Sequence, residues 1–115
     1  MLVEVLKNAL LIAAIDAPYL FLVSGQFRPL IQRIQGGAPM QFRLWAAIPV
    51  YLALGYLLTL TSSWRQAALI GAATYAVYDF TNLAAFKNYT IPFALQDTIW
   101  GGTLMAIAFK VRQMF

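Results

Sequence analysis

Four stretches of mostly apolar residues, near Val5 to Ser24, Leu44 to Leu60, Ala67 to Phe86 and Ile91 to Phe109, dominate this sequence. Each comes close to the roughly 20 residues that a helix needs to cross a hydrocarbon core of about 30 Å. Little else is left in a chain of 115 residues, of which 62% are hydrophobic and 10% charged, too few polar groups to clothe a fold in water. The expected fold is therefore all-α: a single transmembrane domain over 1–115, built as an integral membrane four-helix bundle. The connections at Thr61-Ser62-Ser63 and Lys87-Asn88-Tyr89-Thr90 are short, which makes the helices they join antiparallel neighbours. An even number of spans puts both termini on one side.

The first stretch has the outline of a signal peptide, with Lys7 ahead of it and Val23-Ser24-Gly25 near its end. Asp16 in its middle argues for a retained helix instead. The connection that follows is the long one, and it carries its own pattern: Phe27, Leu30, Ile31 and Ile34 at helical spacing, opposite Arg28, Gln32 and Gln35. Pro29 suits a first turn there and Gly36-Gly37 a stop. The pattern predicts a short amphipathic helix over about 28–35, lying in the interface after the first span. A polar loop with incidental periodicity is the plainer alternative.

Orientation is balanced. Lys7, Arg65, Lys110 and Arg112 fall on the side of the termini, and Arg28, Arg33, Arg43 and Lys87 on the other, so the positive-inside rule has nothing to act on. A short tail carrying Lys7 favours cytoplasmic termini, with the protein as a multi-pass component of a bacterial-type inner membrane or its equivalent. The net charge of +4 is too dispersed for a nucleic-acid footprint. With neither cysteine nor histidine, disulfides, thiolate chemistry, imidazole-held haem or copper and the usual zinc sites fall away, and no cofactor is expected. Pro18 and Pro49 should bend spans one and two. Gly55, Gly71, Gly101 and Gly102 with their alanine neighbours should let helices approach closely. Trp45, Trp64, Tyr89 and Phe115 read as interfacial belts.

Three carboxylates inside hydrocarbon, each costing on the order of 2.5–3.5 kcal/mol on insertion scales, need compensation. By rise per residue Asp16 lies about 12 Å from the end of span one, Asp79 about 10 Å from the end of span three and Asp97 about 9 Å from the start of span four. Those ends share one side, so the aspartates occupy one layer, nearer the long loop and Lys87. Tyr75, Asp79 and Asn82 form a stripe on span three with Tyr78 alongside. Gln96 and Trp100 stand at the margins of the Asp97 face, and Tyr19 is one turn from Asp16. The expected polar cluster is therefore Asp16, Tyr19, Tyr75, Tyr78, Asp79, Asn82, Gln96 and Asp97. Two carboxylates in a low-dielectric site do not both ionise cheaply, so Asp79 and Asp97 should hold one proton or one cation between them. One such aspartate would favour plain helix glue; three at one depth favour a working site.

Tyr78-Asp79-Phe80-Thr81-Asn82-Leu83-Ala84, Asp97-Thr98-Ile99-Trp100-Gly101 and Asp16-Ala17-Pro18-Tyr19-Leu20 resemble the three recurrent segments of a family of small four-span membrane proteins of unknown function, domain of unknown function 2177. The resemblance runs over nearly the whole chain. Phe80 replaces the family's usual Leu, Tyr19 stands where Trp is usual, and Pro18 is unusual. The likeness implies a four-span bacterial-type or viral membrane protein and brings no activity with it. Two readings of function follow. One is a small transporter or binding protein, proton- or cation-linked through the Asp cluster; the other is a non-catalytic accessory or structural subunit of a larger membrane complex, for which glycine faces suffice. A membrane-embedded hydrolase is the weaker third, since neither Asp79 nor Asp97 sits in a recognisable intramembrane-protease motif. Membrane lipids, and a second copy of the chain or a larger complex, are the expected partners.

Overall fold

The computed structural model describes residues 1–36 and 44–115, apart from the side chains of Phe27 and Leu44. The architecture is helical, with no strand among the described residues: α1 is Leu2–Ile34, α2 Ala47–Thr59, α3 Trp64–Ala85 and α4 Ile91–Arg112. A single turn of 3-10 helix, Leu44–Ala46, leads into α2. Local chemistry sets the helix starts. Ser63 caps α3 by accepting from the Gln66 amide at 3.1 Å, while the Gln66 side chain accepts from the Ser62 amide at 2.7 Å. Thr90 caps α4 in the same way, with Pro92 in its first turn.

α1 departs from the expected boundary. Residues 28–34 are helical, but they continue α1 without a break and do not form a separate helix after it. Pro29 removes one internal hydrogen bond, yet tertiary contacts hold the last turns. Gln26 exchanges two hydrogen bonds with Gln96, at 3.3 and 3.2 Å, and Leu30 is buried against Tyr89, Phe93 and Ala94. The helix does stop at the glycine, Gly36 taking φ 67° just past Gln35. Gly37, Arg43 and the side chain of Phe27, which entered the sequence argument, lie outside the described residues. The bend expected at Pro49 has no cause: α2 begins at Ala47, so Pro49 falls in the first turn, where its missing N–H has no helical partner to lose.

Contacts fix the order of the helices. Asn8 donates to the Gly55 carbonyl at 3.2 Å while Asp16 meets Tyr51, so α1 and α2 run antiparallel. Asp16 with Trp100 and Tyr19 with Asp97 do the same for α1 and α4. Both termini consequently lie at one end of the bundle. α3 and α4 form the most intimate pair and α2 touches α3 only sparsely. A Cβ on Gly71 would strike the Gly101 carbonyl and the Met105 side chain, and one on Gly101 would strike the Tyr75 ring. At Gly55 it would stand 2.6 Å from the Val5 carbonyl oxygen. Glycine there lets backbones pack against backbones.

The apolar core is split in two. Ile12, Leu54, Leu58, Ala67, Leu104, Met105, Ala108 and Phe109 fill the end that holds the termini, and Leu30, Tyr89, Phe93 and Ala94 close the other. Along α1, α3 and α4 the aspartates fall between these clusters. By length and hydropathy α1, over Leu2–Gln26, is the one described helix able to cross a membrane on its own, whereas α2 is apolar but only 13 residues long.

Candidate functional site

Asp16 is 4% exposed, and both of its carboxyl oxygens are occupied. The Tyr51 hydroxyl donates to Oδ2 at 2.6 Å and the Trp100 indole N–H to Oδ1 at 2.7 Å. The Trp100 ring is stacked on Tyr19, with centroids 4.6 Å apart and planes 13° from parallel. Tyr19 in turn donates to Asp97 Oδ1 at 3.1 Å. Asp16 is therefore tied to Asp97 through an aromatic pair, not by carboxyl contact.

Asp79 is wholly buried on α3 and less completely satisfied. Its Oδ1 accepts from the Tyr89 hydroxyl at 2.6 Å, while Oδ2 meets no donor among the described residues. Asp97, held at Oδ1 by Tyr19, stands beside it on α4. Burial, and then the bond to Asp79, push the Tyr89 phenol well above its ordinary value, which keeps its hydroxyl a donor. Among the described residues no Lys or Arg forms an ion pair with any of the three aspartates. Nor do three His, Cys, Asp or Glu side chains gather closely enough there to hold a metal ion.

Of the residues singled out from sequence, the structure brings together Asp16, Tyr19, Asp79 and Asp97. Tyr75 joins them through its ring, which packs on Gly101 beneath the layer. Asn82 is half-buried beside Tyr89, and Gln96 stands at the rim, near Tyr19 and bonded to Gln26. Tyr78 does not belong: it is 61% exposed on the outer face of α3, because its step from Asp79 turns it about 100° around the helix. Tyr89, read from sequence as an interfacial residue, is buried and bonded to Asp79. Tyr51 entered no sequence argument. No local signal marks it, since its role depends on how α2 lies against α1.

Residues 1–111 match the family described as Predicted membrane protein (DUF2177), whose function is unknown. The chain belongs to that family. The matched range takes in all three aspartate segments, so the polar layer is made entirely of family sequence, and membership places the chain among membrane proteins. No curated protein and no solved structure matches it.

Proposed function

We propose that this family member is a multi-pass membrane protein that binds or carries its ligand with the gain or loss of a proton at the Asp79–Asp97 pair. The surface supports the multi-pass part. Large apolar side chains stand exposed on every helix, among them Leu10, Phe21 and Leu22 on α1, Ile48 and Val50 on α2, Leu69 and Val77 on α3, and Leu95 and Ile99 on α4. Side chains distributed in this way suit lipid as the surrounding solvent far better than water. α3 and α4, at 22 residues each, are about 33 Å long. α2 with its leading 3-10 turn reaches roughly 26 Å, which a locally thinned bilayer accommodates.

One observation carries the functional part: a fully buried carboxyl oxygen of Asp79 has no donor among the described residues, and a second carboxyl group, that of Asp97, stands beside it. Aspartates that served only as glue between helices would be expected to have donors at every buried oxygen. A proton or a cation at the pair would supply that oxygen with a partner, and either can be exchanged. The test is to reconstitute the chain in vesicles containing a pH-sensitive dye and to compare it with Asp79→Asn and Asp97→Asn. Loss of proton movement or of proton-linked binding in both variants, with unfolding temperatures close to that of the parent, is expected. Unaltered proton behaviour accompanied by a large loss of stability would replace this reading with the accessory-subunit one, in which the layer only fastens helices.

A further inference from the structure

A second feature opens beside Asp16. Between α1 and α2 lies an outward-facing groove of about 770 Å³ walled by apolar side chains, including Leu6, Leu10, Ala13, Trp45 and Ile48. Its volume is that of a pocket for a small organic molecule, about 300–1,000 Å³. Leu10, Ile48 and Trp45 at its margins are 74%, 62% and 67% exposed, so it opens sideways from the bundle. Along α1 it extends from Leu6 to Ala13, about 10 Å. Ala13 is less than one turn from Asp16. Tyr51 completes the wall, and its hydroxyl is what reaches through to the Asp16 carboxyl.

An apolar trough that ends one hydroxyl away from a buried carboxylate has a definite complement. Among the described residues Asp16 has no cationic partner, only the neutral donors Tyr51 and Trp100. The aromatic side chains Tyr51 and Trp100 bound it, Trp100 stacked on Tyr19, and such rings are the residue types that also attract a desolvated cation. A hydrated metal ion suits neither the apolar walls nor the small number of oxygen ligands, and a neutral acyl chain would leave the carboxylate unused.

We propose that the α1–α2 groove and Asp16 form a binding site for a single-chain lipophilic cation, with the chain in the groove and the ammonium group on Asp16 in place of the Tyr51 hydroxyl. This deepens the functional reading above and rests on it only in supplying the substrate class. The groove side of Tyr51 is the entrance, so the ligand reaches the site from within the bilayer. Asp79 and Asp97, on α3 and α4, retain the proton-exchanging part.

The probe is radiolabelled dodecyltrimethylammonium, with dodecanol as its uncharged counterpart, measured against the full chain in phosphatidylcholine nanodiscs and against empty nanodiscs. Saturable binding of one cation per chain is expected. Asp16→Asn should weaken it by about tenfold or more while sparing any dodecanol binding, the loss that follows when a desolvated cation gives up its counter-charge. Ala13→Phe, which fills the groove and leaves every polar group in place, should weaken both probes. Cation binding equal in parent and Asp16→Asn, or no saturable binding to protein shown to be folded by its melting curve, would overturn the proposal. Should Asp16→Asn fail to fold, Tyr51→Phe and Ala13→Phe decide the matter: cation binding left unchanged in both overturns it. The two readings fail separately, because Asp97→Asn tests proton movement and Asp16→Asn tests cation retention.

Discussion

Replacing Tyr89 by Phe isolates a single hydroxyl. The ring should stay where it is, buried and packed edge-on against Phe93 at 5.8 Å, while the 2.6 Å bond to Asp79 Oδ1 disappears. Because Asp79 Oδ2 has no donor among the described residues, Tyr89→Phe removes the one side-chain donor that a wholly buried carboxyl group has there. A hydrogen bond to a charged group contributes about 1.5–3 kcal/mol and one between neutral groups about 0.5–1.5. The expected destabilisation is therefore about 2 kcal/mol for a charged acceptor and nearer 1 for a neutral one. Reversible unfolding in mixed micelles measures the difference, and repeating it in an Asp79→Asn background separates the cases. There the acceptor is neutral, so the same substitution should cost about 1 kcal/mol, and the gap between the two costs is the coupling between hydroxyl and carboxylate. A cost below about 0.5 kcal/mol in the parent would refute the claim that Tyr89 secures Asp79.

Close packing gives a paired expectation. Gly71→Ala should destabilise by about 1–3 kcal/mol in the same unfolding assay, because its Cβ meets the Gly101 carbonyl. Gly25→Ala, in mid-helix with nothing within 4 Å of the added carbon, should stabilise by roughly 0.5–1 kcal/mol. Tyr78→Phe should leave both stability and proton-linked behaviour within about 0.5 kcal/mol of the parent, since its side chain faces outward. A loss of proton movement in Tyr78→Phe would bring it back into the site.

The legible part of this protein was whatever depends on local composition. Apolar runs, the Thr61-Ser62-Ser63 break and the stop at Gly36 place the four helices, and rise per residue places Asp16, Asp79 and Asp97 in one layer before any packing is known. What escaped depends on partners distant in sequence. The end of α1 looked separable because Pro29 and the apolar period mimic a new helix, yet Leu30 and Gln26 find their partners on α4 and its approach, some 60 to 70 residues later. Tyr89 looked like an interfacial aromatic because it sits in a turn beside Lys87. Only the antiparallel return of α4 carries it over Asp79. Tyr51 was invisible for the same reason, being one aromatic in an apolar helix whose rotation sequence alone does not set.

The layer itself is divided in a way that bears on its use. Asp16 and the Asp79–Asp97 pair lie at similar depth, but their surroundings differ. Asp16 has a donor on each oxygen and an apolar groove next to it; Asp79 has one donor, one bare oxygen and a second carboxyl group for company. Among the described residues they are joined by the stacked Tyr19–Trp100 pair, which bonds Asp97 through one ring and Asp16 through the other. Moving either ring disturbs both carboxyls together. A ligand that displaces the Tyr51 hydroxyl from Asp16 changes the charge felt by Trp100, and through the stack the donor that Tyr19 offers Asp97. Coupling between a ligand-binding half and a proton-exchanging half requires such a shared element with two arrangements. If the pair serves that purpose, Trp100→Phe, which keeps the stacking and removes the indole donor, should uncouple ligand binding from proton movement while leaving each measurable by itself.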